Sequence, residues 1–316
     1  MKLTALLTIK NEEYYLKYCI ENLIKQGFEI YLIDNGSVDD SLEVAKKYLN
    51  KGIVKIDYID TGGVFKLEEI LKFEENIANS YDSDWFMHCD ADEIRLPHRP
   101  FKTIKDALVK VESLGYNAVN FHLFNFMPED GKSYIGKNYE DEMKYYYFHS
   151  SEPFSQIKLW KKTENLISFE TSGGHRVFFE NMKIYPNPFI LKHYIFLSKQ
   201  HAIDKYTKKS KYSQKEVQEY GWHGFRANFD EKKFHLPRKS QLKKLTNNIF
   251  DMSDPTPEHL FYEWGNNQDD RRVGKTFSKM ESARLDSSKN LYKANSFLYR
   301  MLRTPIKEVK KRGRLV

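Results

Sequence analysis

The sequence predicts an α/β fold: a mostly parallel sheet flanked by helices, followed by a helical C-terminal extension. Two observations lead there. Short apolar strand-like runs alternate with helically spaced apolar stripes over the first hundred residues, which implies right-handed crossovers that cover both faces of a sheet. Asn11, Asp34 and Asp90 each stand just past the carboxyl end of a predicted strand, and ligands of open α/β sheets bind beyond those ends.

Residues 3 to 9 form a buried strand, and Asn11 is a candidate N-cap for a helix carrying Leu16, Cys19, Ile20, Leu23 and Ile24. Gly27 ends that helix. Ile30 to Ile33 is the second strand and DNGSVDDS a polar turn. Leu42, Ala45, Tyr48 and Leu49 mark a second helix ending before Gly52. Ile53 to Ile59 is the third strand and Thr61-Gly62-Gly63 a loop. Leu67, Ile70, Leu71, Ile77 and Ala78 form a helical stripe with Glu74 as its polar interruption. Trp85 to Cys89 then runs straight into Asp90. Phe101, Ile104, Leu108 and Val111 predict another helix, and Ala118 to Phe126 a long aromatic strand. Between about 130 and 190 the alternation blurs, with short β-like runs at Gln156 to Trp160 and Arg176 to Phe179. From Ser198 onward the chain turns basic and helical, and Pro255 and Pro257 predict a helix opening near Glu258. The domain boundary falls near 240: a catalytic domain over 1–240, with a donor half to about 100 and an acceptor half from about 101, then a basic helical region over 241–316.

The 316 residues are 40% hydrophobic, 30% charged and 15% aromatic, the composition of a chain with a full core rather than a disordered one. Only Cys19 and Cys89 are present, so there is neither a disulfide framework nor a zinc-type spacing, and a reducing, cytoplasmic setting fits. The opening MKLTALLTIKNEE ends in charge where a cleavage site would stand, and no stretch approaches the roughly 20 apolar residues of a membrane span. The net charge is +7, and residues 300–316 hold seven Lys or Arg against Glu308. That tail fits either a solvated terminus or peripheral contact with an anionic membrane.

The segment HCDADE packs three acids into four residues at the end of an apolar strand, an arrangement that is costly unless a cation or water compensates it. Hard cations such as Mn²⁺ or Mg²⁺ prefer carboxylate oxygens. Asp90 and Asp92 can present one oxygen to such a metal and another to a ribose or bound water, with Ala91 leaving room. The competing reading is a solvated turn in which Glu93 and Arg95 form a surface ion pair.

The segments LLTIKNEEYYLKYCIENL, YLIDNGSVDDS and DWFMHCDADE, in this order and spacing, resemble the landmark motifs of the GT-A glycosyltransferases, especially the non-processive members of family 2. The resemblance implies a Rossmann-like GT-A fold and a hexosyltransferase-like enzyme. Such an enzyme moves a sugar from a nucleotide-sugar, commonly UDP-linked, to a glycan or lipid-linked acceptor, as in surface polysaccharide synthesis. It also implies donor-site roles for Thr8, Lys10, Asn11, Glu12, Asp34 and Asn35, with Asp90 on the diphosphate. Asp90 and Asp92 would bind the metal, and His193, in ILKHYIFLSKQHAIDKY, would complete its coordination. His175 in SGGH is a candidate beside the diphosphate or acceptor. An inverting transfer needs a carboxylate base, for which Glu170 is the choice and Glu93 and Glu152 the rivals. The Gln-x-x-Arg-Trp signature of processive synthases is absent, which favours addition of one sugar at a time.

Two readings compete. A nucleotidyltransferase would share the metal and the sheet but normally begins with a glycine-rich phosphate loop, which LLTIKNEE lacks. A nucleic-acid-binding module would use the basic, aromatic-laced segments 199–244 and 300–316, but it leaves the strand-end acids unexplained, and no nucleic-acid partner is expected.

Overall fold

The computed structural model describes residues 1–150, 155–169, 172–207 and 211–263. The chain divides into compact units at 1–273 and 274–316, the second lying outside the described residues.

The first half alternates as the sequence predicts. β1 (Leu3–Ile9), α1 (Glu13–Lys25), β2 (Glu29–Asp34), α2 (Ser41–Lys46) and β3 (Ile53–Tyr58) come first. They are followed by β4 (Val64–Phe65), α3 (Leu67–Ser80), β5 (Trp85–Cys89), β6 (Glu93–Leu96), α4 (Ile104–Ser113) and β7 (Ala118–Phe126). The second half holds α5 (Tyr139–Glu142), β8 (Tyr145–His149), β9 (Leu159–Lys161), β10 (Ile184–His193) and α6 (Lys199–Thr207). β11 (Lys211–Tyr212), α7 (Gln214–Tyr220), α8 (Gly224–Ala227) and β12 (Lys243–Lys244) complete it.

β3, β2, β1 and β5 are parallel neighbours, and β9 runs antiparallel between β5 and β7. β10 pairs parallel with β7 and antiparallel with β6. The registers Leu7–Cys89 and Ile9–Asp34 bring the carboxyl ends of β5, β1 and β2 level, which is where the polar residues after them meet. Period-two alternation in β1 sends Ala5, Leu7 and Ile9 into one core with α1 and α4, and Leu6 into the other with Leu71, Ile77 and Ala78 of α3. Helices therefore cover both faces. A third, aromatic core joins Tyr147, Phe196 and Tyr206 to Phe234, Phe261 and Tyr262.

Several expectations change. Asn11 is not the N-cap of α1: it adopts a left-handed conformation at φ 59°, and Glu12 occupies the cap. The β-like run at 156–160 forms a strand only over Leu159–Lys161, and the run at 176–179 makes single bridges from Arg176 and Phe178. No helix opens near Glu258; residues 241–263 instead add β12 to the edge of the main sheet beside β8 and place Phe261 in the aromatic core. Those contacts tie residues 241–263 to the preceding fold.

Candidate active site

Two loops, following β1 and β2, are stitched together by hydrogen bonds that need the polar residues found there. Asn11 N–H donates to Ser37 Oγ (3.1 Å), Val38 N–H donates to Asn11 Oδ1 (2.8 Å), and Glu12 N–H donates to Ser41 Oγ (2.7 Å). The buried Asp34 carboxylate accepts from Ser37 N–H. Asn35 is spent on structure: its Nδ2 donates to Ile59 O and Thr61 Oγ1, both at 2.9 Å. Lys10 is half-buried at the end of β1.

Behind Asp90 lies a buried triad. Thr8 Oγ1 donates to Glu74 Oε1 (2.5 Å), whose other oxygen lies 2.6 Å from His88 Nδ1. This pairing explains the polar interruption in the stripe of α3, since a carboxylate with no exposed surface needs such partners.

The acids of HCDADE divide their work. Asp90, with about half its side chain exposed, lies 2.7 Å from the ammonium of the buried Lys158, which also reaches Glu93 at 3.0 Å. Glu93 in turn pairs with Arg95, whose side chain is fully buried. The surface ion pair considered for Glu93 and Arg95 is thus a pair, but an interior one, because β6 is locked between α1 and β10. Glu93 is correspondingly tied up and poorly placed to act as a base. Asp92 is nearly buried and lies 2.8 Å from Lys205 Nζ of α6 and 3.5 Å from His193 Nε2.

Burial works against ionisation of both aspartates, but nearby positive charge outweighs it. Lys158 and His88 hold Asp90 well below the usual carboxylate range, and Lys205 and His193 do the same for Asp92. Against their own desolvation, Lys158 and Lys205 are raised by these carboxylates. At neutral pH the crevice floor carries two carboxylates and two ammoniums.

His175 follows a turn with two left-handed glycines. Gly173 (φ +63°) packs on the Trp222 indole; Gly174 (φ +82°) leaves no room for a Cβ, which would stand 2.9 Å from His88 Nε2. His175 itself is exposed to solvent. Glu170 and its rival Glu152 lie outside the described residues.

The structure thus brings Asp92 and His193 together and sets Asp90 on Lys158. Among the described residues, no three His, Cys, Asp or Glu side chains converge as a ready metal cage. The donor chemistry still suits a hard divalent cation: an ionised carboxylate and an imidazole face each other across 3.5 Å, with Asp90 two residues away. Sequence reasoning missed Lys158, Lys205 and the Glu74–His88 pair. Lys205 lies inside the segment already singled out around His193, whereas Lys158 sits in an apolar run whose register no sequence pattern reveals.

A family model described as glycosyl transferase family 2 matches residues 4–172, more than half of the chain. No curated protein sequence matches significantly. Among solved structures, the chain is similar to S. aureus TarS 1–349, at 14% identity with a TM-score of 0.38, over 61% of this chain and 60% of that one. The same protein in complex with UDP matches at 14% identity and a TM-score of 0.40, over 62% and 61% of the two chains. Glucosyl-3-phosphoglycerate synthase from Mycobacterium tuberculosis, in complex with Mn²⁺, UDP and glucosyl-3-phosphoglycerate, matches at 17% identity and a TM-score of 0.27, over 39% and 44%. The chain therefore spans about 60% of the length of the first of these proteins.

Proposed function

The chain belongs to glycosyl transferase family 2, and on that premise we propose that it transfers a sugar from a nucleotide-sugar, UDP-linked, to a hydroxyl of a glycan or lipid-linked acceptor, one residue at a time and with inversion. The observation that carries this reading is the pair of ionised aspartates past β5, level with the ends of β1 and β2 and backed by Lys158 and Lys205. Family membership favours it over a nucleotidyltransferase or a nucleic-acid-binding module.

Asp34, with Lys10, Asn11 and Glu12 around it, would hold the nucleoside end of the donor, on loops whose mutual hydrogen bonds fix their shape. Asn35 and Thr8 shape the floor. Asp92 and His193, with Asp90, are the residues that would hold a divalent cation, Mn²⁺ or Mg²⁺, which would act as a Lewis acid on the leaving diphosphate. Lys205 and Arg226, both electrostatically coupled to Asp92, supply fixed positive charge near the growing negative charge of the leaving group. The acceptor hydroxyl must lose its proton as the new glycosidic bond forms. Glu170 is the carboxylate proposed to take it, and His175, within electrostatic reach of Asp90 and Lys158, orients the reacting groups.

Among the described residues, no helix is long and apolar enough to cross a membrane. We assign the protein to the cytoplasm, at the inner face of the membrane, with residues 300–316 supplying contact with anionic lipid. Removing that tail should reduce sedimentation with phosphatidylserine vesicles; unchanged sedimentation would leave it a solvated terminus.

A thermal-shift screen of nucleotide-sugars tests the donor reading. With Mn²⁺, a UDP-sugar at a hundred times its Kd should add about 2.7 kcal/mol of stability. Asp92→Ala should abolish the shift while leaving the unliganded transition cooperative, and an undiminished shift in that variant would remove Asp92 from the site.

A further inference from the structure

A second recess opens at the same edge of the sheet. β9 runs antiparallel to both β5 and β7, and β10 is parallel to β7, so the chain leaving β7 and β10 emerges at the edge where Asp90 and Asp92 follow β5. There the loop at 128–132, Lys199 at the start of α6 and the segment 235–242 enclose a cleft of about 540 Å³, a volume within the usual range of ligand sites. Tyr134 N–H donates to Leu197 O (2.9 Å), which ties the loop after β7 to the chain that leads into α6.

The charges that line the cleft are unevenly spent. Lys132, Lys199, Arg238 and Lys239 supply four cations, against the carboxylates of Glu129 and Asp130. Glu129 is saturated: it pairs with Lys132 (2.7 Å) and with Lys239, and accepts from the Tyr134 hydroxyl at 3.2 Å. Lys199 and Arg238 have no carboxylate partner among the described residues, and of the lining acids only Asp130 is left to oppose them. Pro128 and Pro237 are buried and Leu236 and Leu242 half-buried, so apolar surface adjoins the cations.

α6 links this recess to the aspartates. Lys199 opens the helix, and Lys205, 2.8 Å from Asp92, lies six residues further on, about 9 Å along the axis. The two sites are thus within the length of a short oligosaccharide.

We propose that the cleft is an acceptor subsite for an acidic glycan, in which Arg238 and Lys199 hold a phosphate or carboxylate group on a unit close to the one whose hydroxyl receives the sugar. The proposal rests on the glycosyl-transfer reading above. The guanidinium of Arg238 offers paired donors to either anion, and the ammonium of Lys199 adds a second charge. The prolines and leucines suit the C–H face of a sugar ring, and a recess admits a chain end where a flat bilayer surface would meet only its rim.

Calorimetric titration of trigalacturonate, of maltotriose carrying one phosphate and of uncharged maltotriose into the full chain, with EDTA present, tests it. The charged sugars should bind at concentrations where the uncharged one does not, and the tighter of the two identifies the anion. Replacing both cations, Lys199→Gln with Arg238→Gln, should weaken that binding about 10- to 100-fold, the scale of losing hydrogen bonds between charged groups, and added salt should weaken it in the wild type. Both side chains are exposed, so the unfolding midpoint of the double variant should stay at the wild-type value, and its Mn²⁺-dependent binding of UDP-sugar should persist. Equal binding of charged and uncharged maltotriose, no binding of either charged sugar, or an affinity unmoved in the double variant overturns the proposal. So does a double variant that loses binding to phosphatidylglycerol vesicles in a protein that binds no sugar, which would make the cleft a lipid site. Absence of UDP-sugar binding in a protein that holds the charged sugars through Arg238 would contradict the donor reading and with it the acceptor role. UDP-sugar binding without charged-sugar binding would overturn the subsite and leave the donor reading standing.

Discussion

Asp92 lies 2.8 Å from Lys205 and 3.5 Å from His193, so replacing it removes one negative charge from between two basic groups without emptying much volume. Asp92→Asn should lower kcat by about 10²- to 10³-fold, the scale for losing one preorganised electrostatic group, and should also lower the unfolding midpoint, because Lys205 loses its carboxylate partner. Lys158 is a different case, because its partner Glu93 is equally buried. Lys158→Ala should destabilise the protein by about 3 to 5 kcal/mol, the scale for stranding a buried charge, read from urea unfolding; Arg95, still paired with Glu93, sets the result toward the lower end. The pH dependence follows from signs. Asp90 and Asp92 have depressed folded values, so their stabilisation is complete above the unfolded value of about 3.9 and is lost as pH falls through the folded values. Lys158 and Lys205 are raised, so theirs is complete below about 10.4 and is lost as pH rises through the folded values.

Among the elements, those built from continuous apolar runs were legible from sequence. β1 and β7 keep their predicted bounds, because a strand buried on both faces is dense in apolar and aromatic residues even where Thr4 and Thr8, or Asn120, His122 and Asn125, interrupt it. β10 escaped notice because Pro186 and Pro188 interrupt it, and the structure absorbs them at a register irregularity between Tyr185 and Phe189. With β10 went the register that sets His193 beside Asn125. The SGGH turn was visible as flexible glycines, but the reason for them lies in contacts far along the chain. Gly174→Ala would force a Cβ against His88 and Leu71 at a left-handed φ, so it should destabilise by about 1 to 3 kcal/mol in urea unfolding and displace His175.

Over the molecule as a whole, the donor half was legible because its site residues follow strands directly, in loops joined by local bonds. The acceptor half depends on residues far apart in sequence that only the tertiary fold assembles. Three partly buried histidines in the second half of the chain, His149, His223 and His259, are held below the ordinary imidazole value chiefly by desolvation. The unfolded chain takes up their protons first, so stability should decline as pH falls from about 6.5 toward 4, a fall measurable by urea unfolding across that range. The central claim is that the Asp90–Asp92 crevice binds a nucleotide-sugar through a divalent cation. Calorimetric titration of a UDP-sugar into the full chain, with Mn²⁺ and then with EDTA, tests it most directly. The account predicts binding with Mn²⁺ that EDTA abolishes and that Asp92→Asn loses; equal binding with EDTA, or an unaffected Asp92→Asn, would contradict it.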